Sequence, residues 1–358
     1  MHRMASVRKI ADQAGVSIAT VSRALHNERG ISADTRTRIL AIANSLEYFR
    51  AAPRISTSLV GFVYIGEQTL SHPFDAAVLD GLSKGLRPDG YDVVILNPER
   101  RRQTAMEFAQ TICRMNVQGV VLRTMSESRD VCAVMAELGF PHVVISERFE
   151  SGEGINYVDS DSRAASMQAT EYLISLGHRR IAFATHNVPD HDHMDRYSGY
   201  AQALAKHGLD VEEDLVFHHP ADVAGGATVL KMVISMKDRP TAIYFADWLL
   251  AIGGLKAAHA MGIRVPEDLS IMGVDDADLR HTVHPTLTAV CQNAFDVGAK
   301  AGRALRHILT GQSSTPVQIT LPGFFEINES TGLPPQDANS LAGVSQSNAE
   351  CGDDSKPA

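Results

Sequence analysis

The stretch that decides the reading is VRKIADQAGVSIATVSRAL, residues 7–25, followed at once by ISADTRTRILAIANSLEY, residues 31–48. Val7, Ile10, Ala11 and Ala14 recur at helical spacing, and Ser6 stands where a hydroxyl can cap that helix. Gly15 ends it, at a point where glycine alone takes a left-handed turn cheaply. Ser17 can cap a second helix from Ile18 to about His26, burying Val21 and Leu25. Ser32 can cap a third that carries Thr35, Ile39, Ile42, Ala43 and Leu46 inward. Two helices joined by a short, glycine-containing turn are the helix-turn-helix pattern, whose second helix enters the DNA major groove N-terminus first. The candidate DNA contacts are therefore Ser17, Ile18, Ala19, Thr20, Ser22 and Arg23. The Arg23 fork matches guanine O6 and N7, and Ile18 and Ala19 suit thymine methyls. Ser17 and Thr20 lie where a helix N-terminus can hold a phosphate. A small bundle that docks protein, with Arg23 merely solvated, fits the same spacing.

Working outward, charge is uneven. Residues 1–50 hold eight Lys/Arg against four Asp/Glu, a net +4; since the whole chain is −9, the remainder carries −13. A basic head on an acidic body suits a module that meets phosphates attached to one that does not. A length of 358 residues suits two or three domains, and 44% apolar content supports an ordinary core. No stretch approaches the roughly 18 apolar residues of a membrane span, and the N-terminus lacks the apolar centre of an export signal. The expectation is a cytoplasmic protein with no membrane partner. Cys113, Cys132, Cys291 and Cys351 are scattered without a CxxC, and read as reduced thiols.

From Leu59 the rhythm changes. LVGFVYI, DVVIL, GVVL and HVVI are short β-branched strands, separated by helix-like stretches near 74–87, 102–116 and 128–139. The pattern restarts with IAFAT, a helix near 196–207, a strand near 215–218, a helix near 225–236, AIYF, a helix near 248–261 and SIMGV. LTAVCQN near 287–293 reads as a return crossing, before a helix from Phe295 to Leu309 and the strand QITLP. Strands alternating with helices imply doubly wound parallel sheets. Two such halves make a hinged clamp that holds a ligand at the strands' carboxyl ends. After Pro335 the chain is polar and rich in Gly, Ser and Asp, the composition of a disordered tail.

The first fifty residues closely resemble the headpiece of lactose-repressor-type regulators, the LacI/GalR family. Ala11, Ala14, Gly15, Val16, Ser17, Thr20, Val21, Ser22, Arg23, Leu25, Ser32, Thr35, Arg36 and Tyr48 carry the match. LGHRRIAF, the run Arg196–Tyr200, VPEDLSIMGVDD and HPTLTAV extend the resemblance to about residues 6–334. It implies an all-α helix-turn-helix headpiece on an α/β two-lobed, periplasmic-binding-protein-like sensor. The organisation is then a DNA-binding domain (1–50), a hinge (51–58), a sensor (59–335) and a tail (336–358). The lobes would comprise 59–158 plus 290–321, and 159–289 plus 322–335. The resemblance also implies a hinge helix that pushes an apolar wedge into the minor groove. Ile55 is the candidate wedge, and packing of Ile55 against the sensor is the equal alternative. The linker departs from the family pattern: it is short, and Pro53 interrupts a helix that starts before it.

The resemblance places an effector-contacting arginine at Arg196 and a ligand-accepting aspartate at Asp275. Asp247 matches the aspartate of the family's Asn-Asp pair, whose asparagine is Ala246 here. Phe74 stands where the family often has an aromatic. Trp248 can stack on a sugar ring or fill the core. Arg123 ends the third strand and Glu147 follows the fourth, and both lie in the pocket or on its rim. The three family positions could instead form an ion-pair network. His191-Asp192-His193, with His186 nearby, invites a metal reading, but no cysteine and no helical His spacing supports it. A polar loop gating the pocket is favoured, and no cofactor is expected.

The function expected is a ligand-controlled transcription regulator, usually a repressor. It would act as a homodimer on a near-palindromic double-stranded operator, with a sugar or sugar derivative as effector. A transporter's solute-binding protein shares the two-lobed body but not the headpiece. An enzyme is disfavoured: the sequence offers no Gly-x-Ser-x-Gly elbow, no Walker pattern and no convincing nucleophile–base pair.

Overall fold

In the computed structural model three helices, α1 (Val7–Ala14), α2 (Ile18–Leu25) and α3 (Ala33–Ser45), enclose a small core. Ile10, Ala11, Ala14, Val21, Ala24, Ile39 and Ala43 fill it. Gly15 takes φ 63° and turns the chain between α1 and α2. Ser17 caps α2 by accepting the Thr20 N–H at 3.1 Å, and Ser32 caps α3 by accepting the Thr35 N–H at 3.2 Å. The structure describes residues 7–25, 30–45, 58–64, 72–96, 104–123, 129–150, 153–187, 190–313 and 315–336. The expectations at Ser6, Leu46, Tyr48, Pro53, Ile55 and residues 337–358 lie outside these, as do those for the side chains of Val7 and Leu25.

The body contains two six-stranded sheets. The first is built from β1 (Leu59–Tyr64), β2 (Asp92–Leu96), β3 (Val120–Arg123), β4 (His142–Ile145), β5 (Tyr157–Asp161) and β11 (Gln318–Pro322). Their spatial order is β11-β5-β4-β3-β1-β2, with every pair parallel. Helices α4 (Pro73–Leu86) and α11 (Ala294–Leu309) cover one face; α5 (Ala105–Arg114) and α6 (Arg129–Glu137) cover the other. Successive strand residues serve opposite faces: Phe62 packs with α4 and α11, Val63 with α5 and α6.

The second sheet is built from β6 (Ile181–His186), β7 (Val216–His219), β8 (Ala242–Phe245), β9 (Ser270–Asp275), β10 (Thr288–Cys291) and β12 (Phe324–Glu326). Its order is β12-β10-β9-β8-β6-β7, with only β12 antiparallel, against β10. Helices α7 (Arg163–Ser175) and α8 (His191–Lys206) cover one face, α9 (Val223–Ser235) and α10 (Trp248–Ala260) the other. Glycine lets the paired helices approach closely. A Cβ on Gly298 of α11 would stand 2.0 Å from the Val78 carbonyl oxygen of α4.

The chain passes between the lobes three times: after β5, after β10 and after β11. Sequence periodicity does not reveal β5, α7 or β12, and it starts α8 five residues late. The return segment also differs in detail. β10 stays paired in the second sheet through Cys291, so the crossing begins after the expected boundary at 290. Among the described residues no helix is long and apolar enough to cross a membrane.

Candidate functional site

Two regions of the fold carry polar chemistry. The first is the exposed side of α2. Ser17, Ile18, Ala19 and Arg23 face solvent, and Ser22 and Thr20 are half-buried. Ile18 is 49% exposed, available to a partner surface. The Ser17 and Thr20 hydroxyls pair at 2.8 Å, so either can turn outward only by breaking that bond. Arg23 reaches back over Gly30, where an added Cβ would meet its Nη2 at 2.8 Å.

The second region lies between the lobes, where three helices begin. Each has a polar cap aimed into the same volume. His72 caps α4, its Nδ1 accepting the Phe74 N–H at 3.3 Å. Asp190 caps α8, accepting the His193 N–H at 3.0 Å and the His193 Nδ1–H at 2.7 Å. Asp247 caps α10, accepting the Leu249 N–H at 2.8 Å and the Leu250 N–H at 3.4 Å. The caps also meet across the cleft. His72 Nε2 stands 3.4 Å from Asp247 Oδ2, joining the first lobe to the second. Arg123, at the end of β3, pairs with Asp75 at 3.0 Å and reaches Asp190 at 3.9 Å. Its guanidinium lies 4.8 Å from the centre of the Phe74 ring.

Burial makes these charges interdependent. It pulls the His72 imidazole down, but the bonded Asp247 carboxylate outweighs it and holds the ring above its ordinary value. Asp247 falls to about 2: burial raises it, and His72 and His193 more than compensate. Asp190 drops well below the ordinary range, because His193, Arg123 and Arg196 together overcome its burial. Asp192 goes the other way. Burial and the neighbouring Asp190 push it up to about 6. Asp276 is also raised, by burial that Arg196, His72 and Gln292 do not fully offset.

Beside this cluster sits a second ionic knot. Arg148, after β4, faces Asp159 and Asp161 on β5 and bonds Asp195 on α8. Arg163 on α7 shares Asp195 at 2.6 Å. Ser160 and Gln292 bond across the crossing strands.

The structure brings Phe74, Arg123, Arg196 and Asp247 to this cleft. Arg196 is buried, donates from Nη1 to the Ala246 carbonyl oxygen at 3.0 Å, and keeps an unpartnered Nε. Glu147 is buried beside them, bonded to Arg129 at 2.6 Å, with its second oxygen unpartnered. Asp275 takes a part other than that expected, and Trp248 takes the core alternative. Asp275 is closed on itself. Its oxygens accept the N–H groups of Ala277, Leu279 and Arg280 and the Arg280 guanidinium, so no lone pair faces the cleft. The next residue, Asp276, is the one that faces Arg196. Trp248 packs in the second lobe's core with Phe245, Leu250 and Leu287 rather than standing as a stacking platform. His191 and His193 diverge, toward Glu147 and Asp190 respectively. Among the described residues no group of three His, Cys, Asp or Glu is placed to hold a metal.

Sequence reading missed His72, Asp75, Asp190 and Asp276, and it took Asp192 and His193 for a loop gating the pocket, where the structure has the first turn of α8. Two signals were available: a polar residue directly before Pro73, and an acid directly before the helix that opens at His191.

Known proteins agree with this geometry. Residues 6–50 match the family described as bacterial regulatory proteins, lacI family, and residues 170–331 match the periplasmic binding protein-like domain. The NTD biosynthesis operon regulator NtdR of Bacillus subtilis is 27% identical over 92% of this chain and 100% of its own length. The ribose operon repressor of Haemophilus influenzae is 27% identical, covering 84% of this chain and 91% of that protein. The solved transcriptional regulator CelR–cellobiose complex superposes with a TM-score of 0.69 at 27% identity, over 91% of this chain and 99% of that one. These relatives are regulators of transcription rather than enzymes. The chain, with its helix-turn-helix headpiece and two-lobed sensor, belongs to the lacI family of DNA-binding transcription regulators.

Proposed function

We propose that this chain is a homodimeric repressor. It reads a near-palindromic operator through Ser17, Ile18, Ala19, Ser22 and Arg23, and its grip is set by a sugar-like effector enclosed between the lobes. The observation that carries the effector half is the interlobe cluster: Arg196, Asp192, Asp276 and Glu147 are buried yet each keeps a polar atom without a protein partner. Unpaired buried polar atoms are costly, and a hydroxylated ligand would supply the partners they lack. The relatives whose names carry ribose and cellobiose fit a carbohydrate class. Arg196, Asp276 and Gln292 are the groups assigned to the ligand, with Arg123 and Asp247 shaping the wall.

The coupling follows from where the contacts lie. A ligand touching both lobes favours the arrangement in which it can touch both, and acts only through that differential affinity. Operator duplexes selected from a random pool by the purified chain test the DNA half. Arg23→Ala should weaken binding by roughly tenfold or more per half-site, with an unchanged melting temperature. Unchanged operator affinity in that variant refutes the assigned reading face. Sugars added to the operator complex test the other half. A sugar that alters the parent's operator affinity should leave Arg196→Ala unaffected; an equal response in both refutes the cleft assignment.

A further inference from the structure

We infer that the ligand of the interlobe site carries a protonated amine together with hydroxyls, the chemistry of an amino sugar or aminocyclitol, and that Asp192 and Asp276 hold the amine. The inference rests on the reading of this cleft as the effector site and narrows its ligand class.

The argument is a local charge count. Asp75 is bonded to Arg123 at 3.0 Å, Asp190 to His193 at 2.7 Å, and Asp247 stands 3.4 Å from the His72 Nε2. Those carboxylates each have a side-chain partner in direct contact or close by. Asp192 faces Arg196 and Arg123, and Asp276 faces Arg196, His72 and a bond from Gln292, yet among the described residues neither has a cation in direct contact and burial outweighs these partners at both. Asp192 is 3% exposed and Asp276 8%, and each has an Oδ1 with no hydrogen-bond donor. A buried carboxylate without a cation is strongly unfavourable. The shortfall shows as carboxyls that hold protons unusually well, Asp192 to about 6. A ligand ammonium placed between them supplies the missing charge and charge-assisted bonds at once.

Other occupants fit less well. Among the described residues no third His, Cys, Asp or Glu joins them in a metal-binding group. A phosphate or carboxylate would add negative charge to a site already short of cations. The hydroxyl part rests on further buried polar atoms. Arg196 Nε, the Tyr64 hydroxyl at the end of β1 and the Thr185 hydroxyl at the end of β6 are all buried without partners. They offer donors and acceptors matched to alcohol groups rather than to an apolar amine.

The test uses the full chain near neutral pH and matched sugar pairs: glucosamine with glucose, galactosamine with galactose, mannosamine with mannose. The N-acetylated forms keep the nitrogen and remove its charge. Isothermal titration should find at least one amine bound about tenfold tighter than its hydroxyl partner, the gap between charge-assisted and neutral bonds. N-acetylation should abolish that preference, as should Asp192→Asn with Asp276→Asn. A second measurement needs no ligand. Asp192→Asn removes an uncompensated buried charge, so the ligand-free melting temperature should rise. Neutral sugars bound as tightly as their amines, through Arg196, would overturn the amine while leaving the effector site in place. If no member of any pair binds, both the amine class and the carbohydrate reading fall. A ligand-free Asp192→Asn that melts lower than the parent would show that the carboxylate is already paired, and would overturn the count.

Discussion

Replacing Asp275 by asparagine separates the two roles open to that residue, and the structure sets the size of the effect. Oδ1 accepts the Ala277 and Leu279 N–H groups, both at 3.1 Å. Oδ2 accepts the Arg280 N–H and Arg280 Nη1, both at 2.9 Å. Whichever way the amide of an asparagine turns, its NH2 faces two donors and accepts from neither. Two bonds are lost, either the two backbone bonds at Oδ1 or the two Arg280 bonds at Oδ2, and in both cases the buried Arg280 loses the Asp275 charge. Breaking one side of a buried ion pair costs about 3–5 kcal/mol. Arg280 keeps Asp278 at 2.7 Å and Glu326 at 2.6 Å, both more exposed, so about 2–4 kcal/mol is the working figure.

Trp248 is the only tryptophan and lies in the core of the same lobe, so its fluorescence reports unfolding there. With a urea dependence of about 1–3 kcal/mol per molar, the midpoint of the fluorescence transition should fall by roughly 1–2 M. Affinity for any sugar bound by the parent, measured well below that midpoint, should stay within about threefold, since no Asp275 lone pair faces the cleft. An unmoved midpoint with lost sugar binding would refute the reasoning. It would return the ligand contact to Asp275 and make Asp276 the structural partner.

Three further outcomes follow from the same structure. Ser17→Ala removes the cap that the Thr20 N–H uses, and should cost the headpiece about 1 kcal/mol, seen as an earlier loss of helical circular dichroism. Gly298→Ala places a methyl 2.0 Å from the Val78 carbonyl oxygen and must push α4 from α11; the first lobe should lose about 1–3 kcal/mol or more in chemical denaturation, and parental stability would contradict the packing. The folded chain holds the Asp192 proton to about pH 6, whereas an unfolded chain releases it near about pH 3.9. Between those values the folded state binds the extra proton, so this carboxyl's contribution falls as pH rises and its cost is complete above about pH 6. Asp190, Arg196, Arg123, Asp276 and Asp159 face it. Asp192→Asn should flatten the decline in melting temperature across that window, and an identical pH profile would count against the assignment.

The headpiece is legible in the sequence because its signals are local. A cap, a left-handed glycine and a 3.6-residue stripe specify each helix without reference to anything distant. The buried parallel strands are legible for a related reason: covered on both faces, they are written as unbroken β-branched runs. β5 fails that rule because its last residues, Asp159, Ser160 and Asp161, serve the cleft and the Arg148 knot rather than the core. Helix α7 is hidden by its small and polar residues: Ser166 is buried against the Tyr244 hydroxyl at 2.8 Å, so a core position reads as polar. Trp248 and the Asp275-Asp276 pair show where local reading stops. Which of two adjacent aspartates faces a ligand depends on a turn that ties one of them to four donors. Nothing in the order of letters distinguishes a tryptophan beside a site from one beneath it.

The interlobe contacts also bear on how such a sensor can be switched. His72 with Asp247, Arg123 with Asp190, and Arg148 with Asp195 each join one lobe to the other. These attractions favour the closed arrangement even before a ligand arrives. Against them stands the shortfall of positive charge at Asp192 and Asp276, which favours water entry and opening. An effector that meets those two carboxylates removes the opposing term while leaving the attractions intact. The closed state then gains by relief of repulsion as well as by new contacts, and the shift is limited to the ligand's differential affinity for the two arrangements. Weakening Arg148 or Asp195 shifts the same balance from the other side, without touching the ligand's own partners.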